Sequence, residues 1–155
     1  MMNKRIPALS ISIVLVLVLA TFSSAAAAPA KYVHIEAHEY IGQNGEPFSA
    51  SGPAVDAGLV CASGTTEEVE IYPGHSAGSL SFFGVLKRFH CTGGGSFDVQ
   101  LNVRLDTVTH GTTASWSVVG GTGAYASLRA SGSLVGTPGD VPGDDIYDTY
   151  NGIAR

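Results

Sequence analysis

One pentapeptide matches the pattern that holds the nucleophilic serine of α/β-hydrolases. Gly74 to Gly78 reads GHSAG, with Ser76 at the nucleophile position, and Asp106 and His110 follow in the order that such a triad requires. The pattern also needs a parallel sheet and a helix directly after the serine. The segment that follows is better read as a strand, so we interpret GHSAG as a turn.

A second glycine motif, GTGAYA at 121–126, is similar to the fingerprint that binds dinucleotides. That fingerprint needs a helix whose amide groups face the pyrophosphate. Gly132, Gly136 and Pro138 come next in the chain, and a helix would not tolerate them well. We therefore predict no cofactor.

Three residues that could bind a metal share one face of a predicted strand. His34, Glu36 and His38 alternate along the chain, so neighbouring members lie about 6.7 Å apart. We favour a solvated outer face; a polar spot inside a cavity and a metal site are the alternatives.

Four acidic residues near the last predicted strand could offer carboxylate oxygens to calcium. They are Asp140, Asp144, Asp145 and Asp148. The spacing of an EF-hand is absent, so we favour a solvated turn and predict no metal.

Two aromatic residues flank a glycine-rich corner. Trp116 precedes Gly120 to Gly123 and Tyr125 follows it. Packing in the core is the default role for both rings, and lining a ligand cavity is the alternative. Together with Glu36 they are the candidate ligand-binding residues, and no catalytic residue is identified.

Strands must position these residues. Segments 31–41 and 97–106 alternate between two kinds of side chain with period two, which predicts strands. In 116–136 we expect a strand ending at Val119, the glycine corner, and a second strand leaving with Ala124 and Tyr125. Glycines at the corner would allow positive φ or a bulge.

The remaining segments are shorter or less regular. We expect a bent or edge strand within 48–61, a short strand at 68–72 ended by Pro73–Gly74, a strand at 79–92, a flexible acidic loop at 137–145 and a last strand at 146–153. Segment 79–92 could also form a helix, although Gly84 would cost it about 1 kcal/mol. Seven or eight strands without a convincing helix predict an all-β domain, a barrel or a sandwich.

The first 28 residues are expected to be a secretory signal peptide. Lys4 and Arg5 precede the apolar run ISIVLVLVLA, and small residues follow it, with cleavage expected between residues 25 and 30. An uncleaved anchor is the alternative, but it would need about 20 apolar residues. Residues 31–155 would then be one secreted, extracellular domain with no membrane association.

Charge excludes one class of partner. Without Lys4 and Arg5 the chain has six basic and thirteen acidic residues, a net charge of −7. Nucleic-acid binding needs a cationic face. We therefore predict no nucleic-acid partner.

Both cysteines, Cys61 and Cys91, lie in the part expected to be exported. An even pair in an oxidising compartment is most simply one disulfide. Two buried thiols and a reactive cysteine are the alternatives.

Three segments together resemble the allene oxide cyclase and dirigent barrels, and more closely a secreted bacterial branch with an allene oxide cyclase barrel-like fold. They are WSVVGGTGAYASLRASGSL at 116–134, SGPAVDAGLVCASG at 51–64 and KRFHCTGGGSF at 87–97, and the closing YNG is similar to the last strand of these barrels. The resemblance implies an eight-stranded antiparallel barrel of the calycin type with an apolar cavity, often as a homo-oligomeric trimer. Plant members hold a fatty-acid epoxide or a phenoxy radical in one conformation. Their Glu- and Asn-containing motif is absent here, so no catalytic residue carries over.

The main hypothesis is a secreted barrel that holds a small apolar or aromatic molecule; whether it also steers a cyclisation by confinement is left open. The alternative is a secreted interaction protein whose side chains fill the interior. A third interpretation, an immunoglobulin-like sandwich, is disfavoured because Trp116 follows both cysteines.

Overall fold

Eight strands form one closed antiparallel barrel in the structure, a computed structural model that describes residues 29–155. The strands follow one another around the barrel in chain order, and the last pairs with the first to close it. They are β1 Lys31–Tyr40, β2 Pro47–Ser51, β3 Ser63–Ala77, β4 Leu80–Cys91, β5 Ser96–Asp106, β6 Thr112–Thr122, β7 Ala130–Pro138 and β8 Asp145–Ala154. The eight-stranded antiparallel barrel is confirmed; the predicted signal peptide, residues 1–28, lies outside the described residues.

Alternation along each strand decides which side chains face the interior. On β1 the side chains of Val33, Ile35, Ala37 and Glu39 are buried, and those between them are half-buried or exposed. On β5, Phe97, Val99 and Leu101 are buried in the same alternating manner. Successive side chains of a strand point to opposite faces, so one face of each strand builds the core.

The glycine corner differs from its prediction in two respects, the end of the first strand and the start of the second. Strand β6 continues to Thr122, and a single 3-10 turn, Gly123–Tyr125, follows it. Strand β7 begins only at Ala130, so Ala124 and Tyr125 do not start a strand as predicted. Gly123 has φ +58°, a left-handed conformation that favours glycine. The predicted bulge is present, because Val119 is an extra residue opposite the step from Asp98 to Val99.

Two other segments also differ. Strand β3 is not a short strand ended by Pro73–Gly74; it runs from Ser63 to Ala77 and carries these two residues in an irregularity between Tyr72 and His75. A bulge removes the need for the ladder hydrogen bond that proline lacks. Only 47–51 of the predicted bent strand is extended, and a helical turn, α1 Pro53–Asp56, follows it. Segment 80–91 is a strand, as favoured.

One end of the barrel is filled by aromatic side chains. Phe89 stacks on Phe97 with 5.0 Å between ring centroids, and Phe48 and Tyr150 contact Phe89 edge to face. Helical turn α1 covers this closed end and buries Ala54 completely.

The Cys61–Cys91 disulfide is present, with 5.9 Å between the Cα atoms. It ties the segment after α1 to the end of β4.

Candidate functional site

The opposite end of the barrel encloses a cavity of about 430 Å³. Its wall is mainly apolar and is supplied by β3, β4, β5, β7 and β8. The apolar lining residues on these strands are Ile71, Phe83, Val85, Leu101, Val103, Leu105, Leu134 and Ile146. Loop residues Gln43, His110 and Gly143 also line it, so three loops surround this end of the cavity.

A layer of three charged side chains lies between this cavity and the aromatic core. Glu39 of β1, Lys87 of β4 and Asp148 of β8 all line the cavity and are all buried. Along β4, Lys87 is the inward-facing residue just before Phe89, and along β8, Asp148 is the inward-facing residue just before Tyr150. The charged layer therefore forms the floor of the cavity.

Lys87 bridges the two carboxylates of the floor. Its Nζ donates to Glu39 Oε2 and lies 3.4 Å from Asp148 Oδ2. The other two carboxylate oxygens, Glu39 Oε1 and Asp148 Oδ1, are buried without a partner within hydrogen-bond distance, and so is the Tyr150 hydroxyl, although this hydroxyl lies close enough to the Asp148 carboxylate to affect its pKa. Buried polar atoms in proteins are nearly always paired, so three unpaired atoms in one place are unusual.

The pKa values of the floor follow from burial and charge. Burial, together with the nearby Glu39 charge, raises the pKa of Asp148 to about 6 against the attraction of the Lys87 ammonium. Burial lowers the pKa of Lys87, but the charges of Glu39 and Asp148 outweigh it, so the pKa is raised overall.

Tyr150 completes this set. Burial raises the pKa of its hydroxyl well above the ordinary value, and the charges of Asp148 and Glu39 act in the same direction. Above about pH 6 the floor therefore has two carboxylates, one ammonium and a neutral phenol, and Asp148 is the group that exchanges a proton near neutrality.

The predicted ligand-binding residues lie away from this cavity. Glu36 is on the outer wall, with 65% of its side chain exposed, and pairs with His34 at 3.3 Å. His34 and His38 lie on the same outer wall, but both are half-buried, so only Glu36 is fully solvated. Trp116 is buried and donates from Nε1 to the Ser133 carbonyl at 3.0 Å. Tyr125 packs on Phe97, and neither aromatic ring lines the cavity.

The four aspartates near β8 do not form one solvated turn as predicted, because Asp145 and Asp148 are buried members of β8. Asp145 accepts from His38 Nε2 at 2.8 Å and from the backbone N–H groups of Val141 and Asp140. These hydrogen bonds, that of His38 first, hold the pKa of Asp145 below its ordinary value. Asp148 faces the barrel interior instead. Within residues 29–155, no group of three acidic, histidine or cysteine side chains could hold a metal ion.

The two glycine motifs lack the structures their chemistry needs. Ser76 is exposed on antiparallel strand β3, and its hydroxyl pairs with that of Ser81. GTGAYA contains a single 3-10 turn, Gly123–Tyr125, and the next element after it is β7 rather than a helix. The interpretation of GHSAG as a turn is wrong, because Gly74–Ala77 belong to β3 and only Gly78 lies in the turn. Neither motif is followed by the helix that its chemistry needs.

Sequence reasoning missed Glu39 and Lys87 and considered Asp148 only as a possible calcium ligand, although a signal for the floor was present. Glu39 occupies an inward register position after Val33, Ile35 and Ala37, where a charged residue is unexpected. Lys87 lies likewise between Val85 and Phe89. A charge on the apolar face of a strand was the available sign.

No family model, curated protein or solved structure matches this chain. Its described part contains no helix that is both long and apolar enough to cross a membrane. The fold and the cavity must therefore carry the functional argument.

Proposed function

We propose that this protein is a binding barrel, akin to the allene oxide cyclase and dirigent barrels, that holds one small apolar or aromatic molecule. The observation that carries the proposal is the cavity of about 430 Å³ with its mainly apolar wall. Protein interiors are normally packed without voids larger than a water molecule, and ligand pockets typically measure about 300–1,000 Å³. The alternative, an interaction protein, requires an interior that side chains fill completely. This end of the barrel is not filled.

Steering of a cyclisation is part of the same proposal. A molecule held in this cavity is restricted in the conformers it reaches, which favours one reaction path over others. The Asp148 carboxyl has a pKa of about 6 and lines the cavity, so it can give or take a proton at neutral pH. Confinement and one proton-exchanging group are the two elements that such a reaction needs here.

A fluorescence titration with the neutral dye prodan tests the binding function. We expect a blue shift and saturation at one dye per chain. Val103→Trp fills the cavity from β5 and should abolish binding, because Val103 lines it. Val135→Trp is the matched control, since Val135 is 50% exposed on the outer wall. Absence of a dye signal from the unaltered protein, or undiminished binding by Val103→Trp, would contradict the proposal.

Export is supported by the Cys61–Cys91 disulfide, because such bonds persist in oxidising compartments. The mass of the exported protein should place its first residue between 26 and 31. A trimer stays a prediction of the resemblance, and sedimentation velocity would check it.

A further inference from the structure

The unpaired atoms on the cavity floor indicate the charge of the molecule that the cavity holds. We propose that the ligand is a protonated amine with an apolar or aromatic body, whose ammonium group binds between Glu39 and Asp148. This inference rests on the proposed binding function and adds the chemical class of the ligand.

The first argument is hydrogen bonding. Glu39 and Asp148 are 9% and 6% exposed, and each gives one oxygen to Lys87. The second oxygen of Glu39 has no donor, and the second oxygen of Asp148 has only the neighbouring Tyr150 hydroxyl, which itself has no partner within hydrogen-bond distance. A buried acceptor without a donor is destabilising, and more so when it is charged. An ammonium group has three N–H donors, so one such group can satisfy both oxygens.

The second argument is the charge around the cavity. Five acidic residues contribute to its lining, against one lysine and one histidine. The acidic residues are Glu39, Glu46, Glu68, Asp145 and Asp148; the lysine is Lys87 and the histidine is His110. A carboxylate ligand would be repelled by this lining, and an alcohol would satisfy an oxygen without balancing the charge. A cationic head is therefore favoured over both.

The third argument concerns proton uptake. The groups that face Asp148 are Glu39 from β1, Lys87 from β4 and Tyr150 from its own strand, while Glu46, Glu68, Asp145 and His110 line the cavity further out. Below about pH 6 a proton on Asp148 neutralises the extra negative charge and competes with the ammonium. An alkylamine stays protonated throughout this range. Amine binding should therefore weaken on acidification.

The test compares three compounds with one body by isothermal titration calorimetry: 3-phenylpropylamine, 3-phenyl-1-propanol and 3-phenylpropanoate. At pH 7.5 we expect the amine to bind about tenfold or more tightly than the alcohol, as for hydrogen bonds to charged groups, and the carboxylate to bind most weakly. At pH 5 the preference for the amine should fall to about threefold or less, with the alcohol unchanged.

Two substitutions test whether the preference for the amine over the alcohol arises at the cavity floor. Asp148→Asn should reduce the amine-to-alcohol ratio at pH 7.5 to about threefold or less, and Glu39→Gln should do the same if the first variant fails to fold. Glu36→Gln is the matched control: it removes the same charge from β1, but on the outer wall, and should leave the ratio unchanged.

The outcomes separate this inference from the proposed function. Equal binding of amine and alcohol with prodan still bound would overturn the amine assignment and leave the binding function standing. A pH-independent ratio, or a ratio that Glu36→Gln lowers and Asp148→Asn does not, would also overturn it. Failure of prodan and of all three compounds to bind would overturn the binding function itself.

Discussion

One ammonium group, that of Lys87, faces two carboxylates in the cavity floor. This imbalance of charge decides the energetics of the floor. Burying an ion is costly unless its charge is balanced and its hydrogen bonds are made. Lys87 balances one negative charge, so the second is destabilising whenever Asp148 is ionised. Burial first, and then the unbalanced charge of Glu39, raise the pKa of Asp148.

The first residue-scale prediction concerns pH. The folded-state pKa of Asp148, about 6, exceeds its ordinary value of 3.8, so the folded chain binds more protons between these limits. The contribution of Asp148 to stability is therefore lost as pH rises from about 4 to above 6, by up to about 3 kcal/mol. Asp148→Asn should not show this loss.

Urea denaturation of both proteins at pH 4.5 and pH 7.5 measures the effect. The free energy of unfolding of Asp148→Asn, relative to the unaltered protein, should increase between the two pH values. A difference that stays constant would mean that Asp148 titrates at its ordinary pKa.

The second residue-scale prediction removes the cation. Lys87→Met leaves two buried carboxylates without a counter-charge, and we expect a loss of about 3–5 kcal/mol in unfolding free energy at pH 7.5. The loss should be smaller at pH 4.5, where Asp148 is protonated.

Arg88→Met is the matched control for this prediction. Arg88 is the next residue of β4 but lies on the outer wall, where it pairs with Asp98 at 2.7 and 2.9 Å. This pair is partly exposed to solvent, and surface ion pairs contribute about 1 kcal/mol or less. Equal losses from both variants would contradict a buried charge network.

At the scale of the elements, the approach of β7 to β8 depends on two paired glycines. Gly132 of β7 pairs with both Trp116 of β6 and Gly152 of β8. A Cβ on Gly152 would overlap the Ser131 carbonyl and the indole ring of Trp116. The absence of side chains at these two glycines therefore leaves room for the Trp116 ring to pack over the neighbouring strands.

We predict that Gly152→Ala destabilises the barrel by about 1–3 kcal/mol through overpacking. Gly93→Ala is the control, because nothing lies within 4 Å of a Cβ at that position and its backbone is unstrained. Thermal unfolding followed by circular dichroism compares the two. A Gly152→Ala variant as stable as Gly93→Ala would show that the strands can move apart without loss.

At the scale of the whole molecule, the two ends of the barrel have different roles. The closed end has the aromatic core, α1 and the disulfide, whereas the cavity end has the charged floor and the loops. Packing and the covalent bond therefore stabilise one end, so that the other can stay open.

The disulfide gives the whole-molecule prediction. Its ends are 30 residues apart in sequence, and on the chain-entropy model closing such a loop stabilises by about 3–4 kcal/mol. The double variant Cys61→Ser, Cys91→Ser should lose about this much in urea denaturation while still binding prodan, since neither cysteine lines the cavity. A loss below about 1 kcal/mol, or two free thiols in the native protein by mass, would contradict it.

Local patterns along the chain were enough to specify the strands, the all-β class and the cysteine pair. Alternation is a property of neighbouring residues, so the inward face of β1 and β5 could be read directly. The same patterns placed the ends of β3 and the start of β7 wrongly, because bulges and turns depend on what the partner strand supplies.

The cavity and its floor were decided only by the closure of the barrel. Lys87 reaches Glu39 across 48 residues of sequence and Asp148 across 61, and no local pattern links such distant positions. Glu36 and Glu39 are only three residues apart, yet one faces solvent and the other the cavity. Closure of the barrel brings three inward-facing charged side chains from three strands to the same height along the barrel axis. The pairing of the strands then sets the size of the cavity above them.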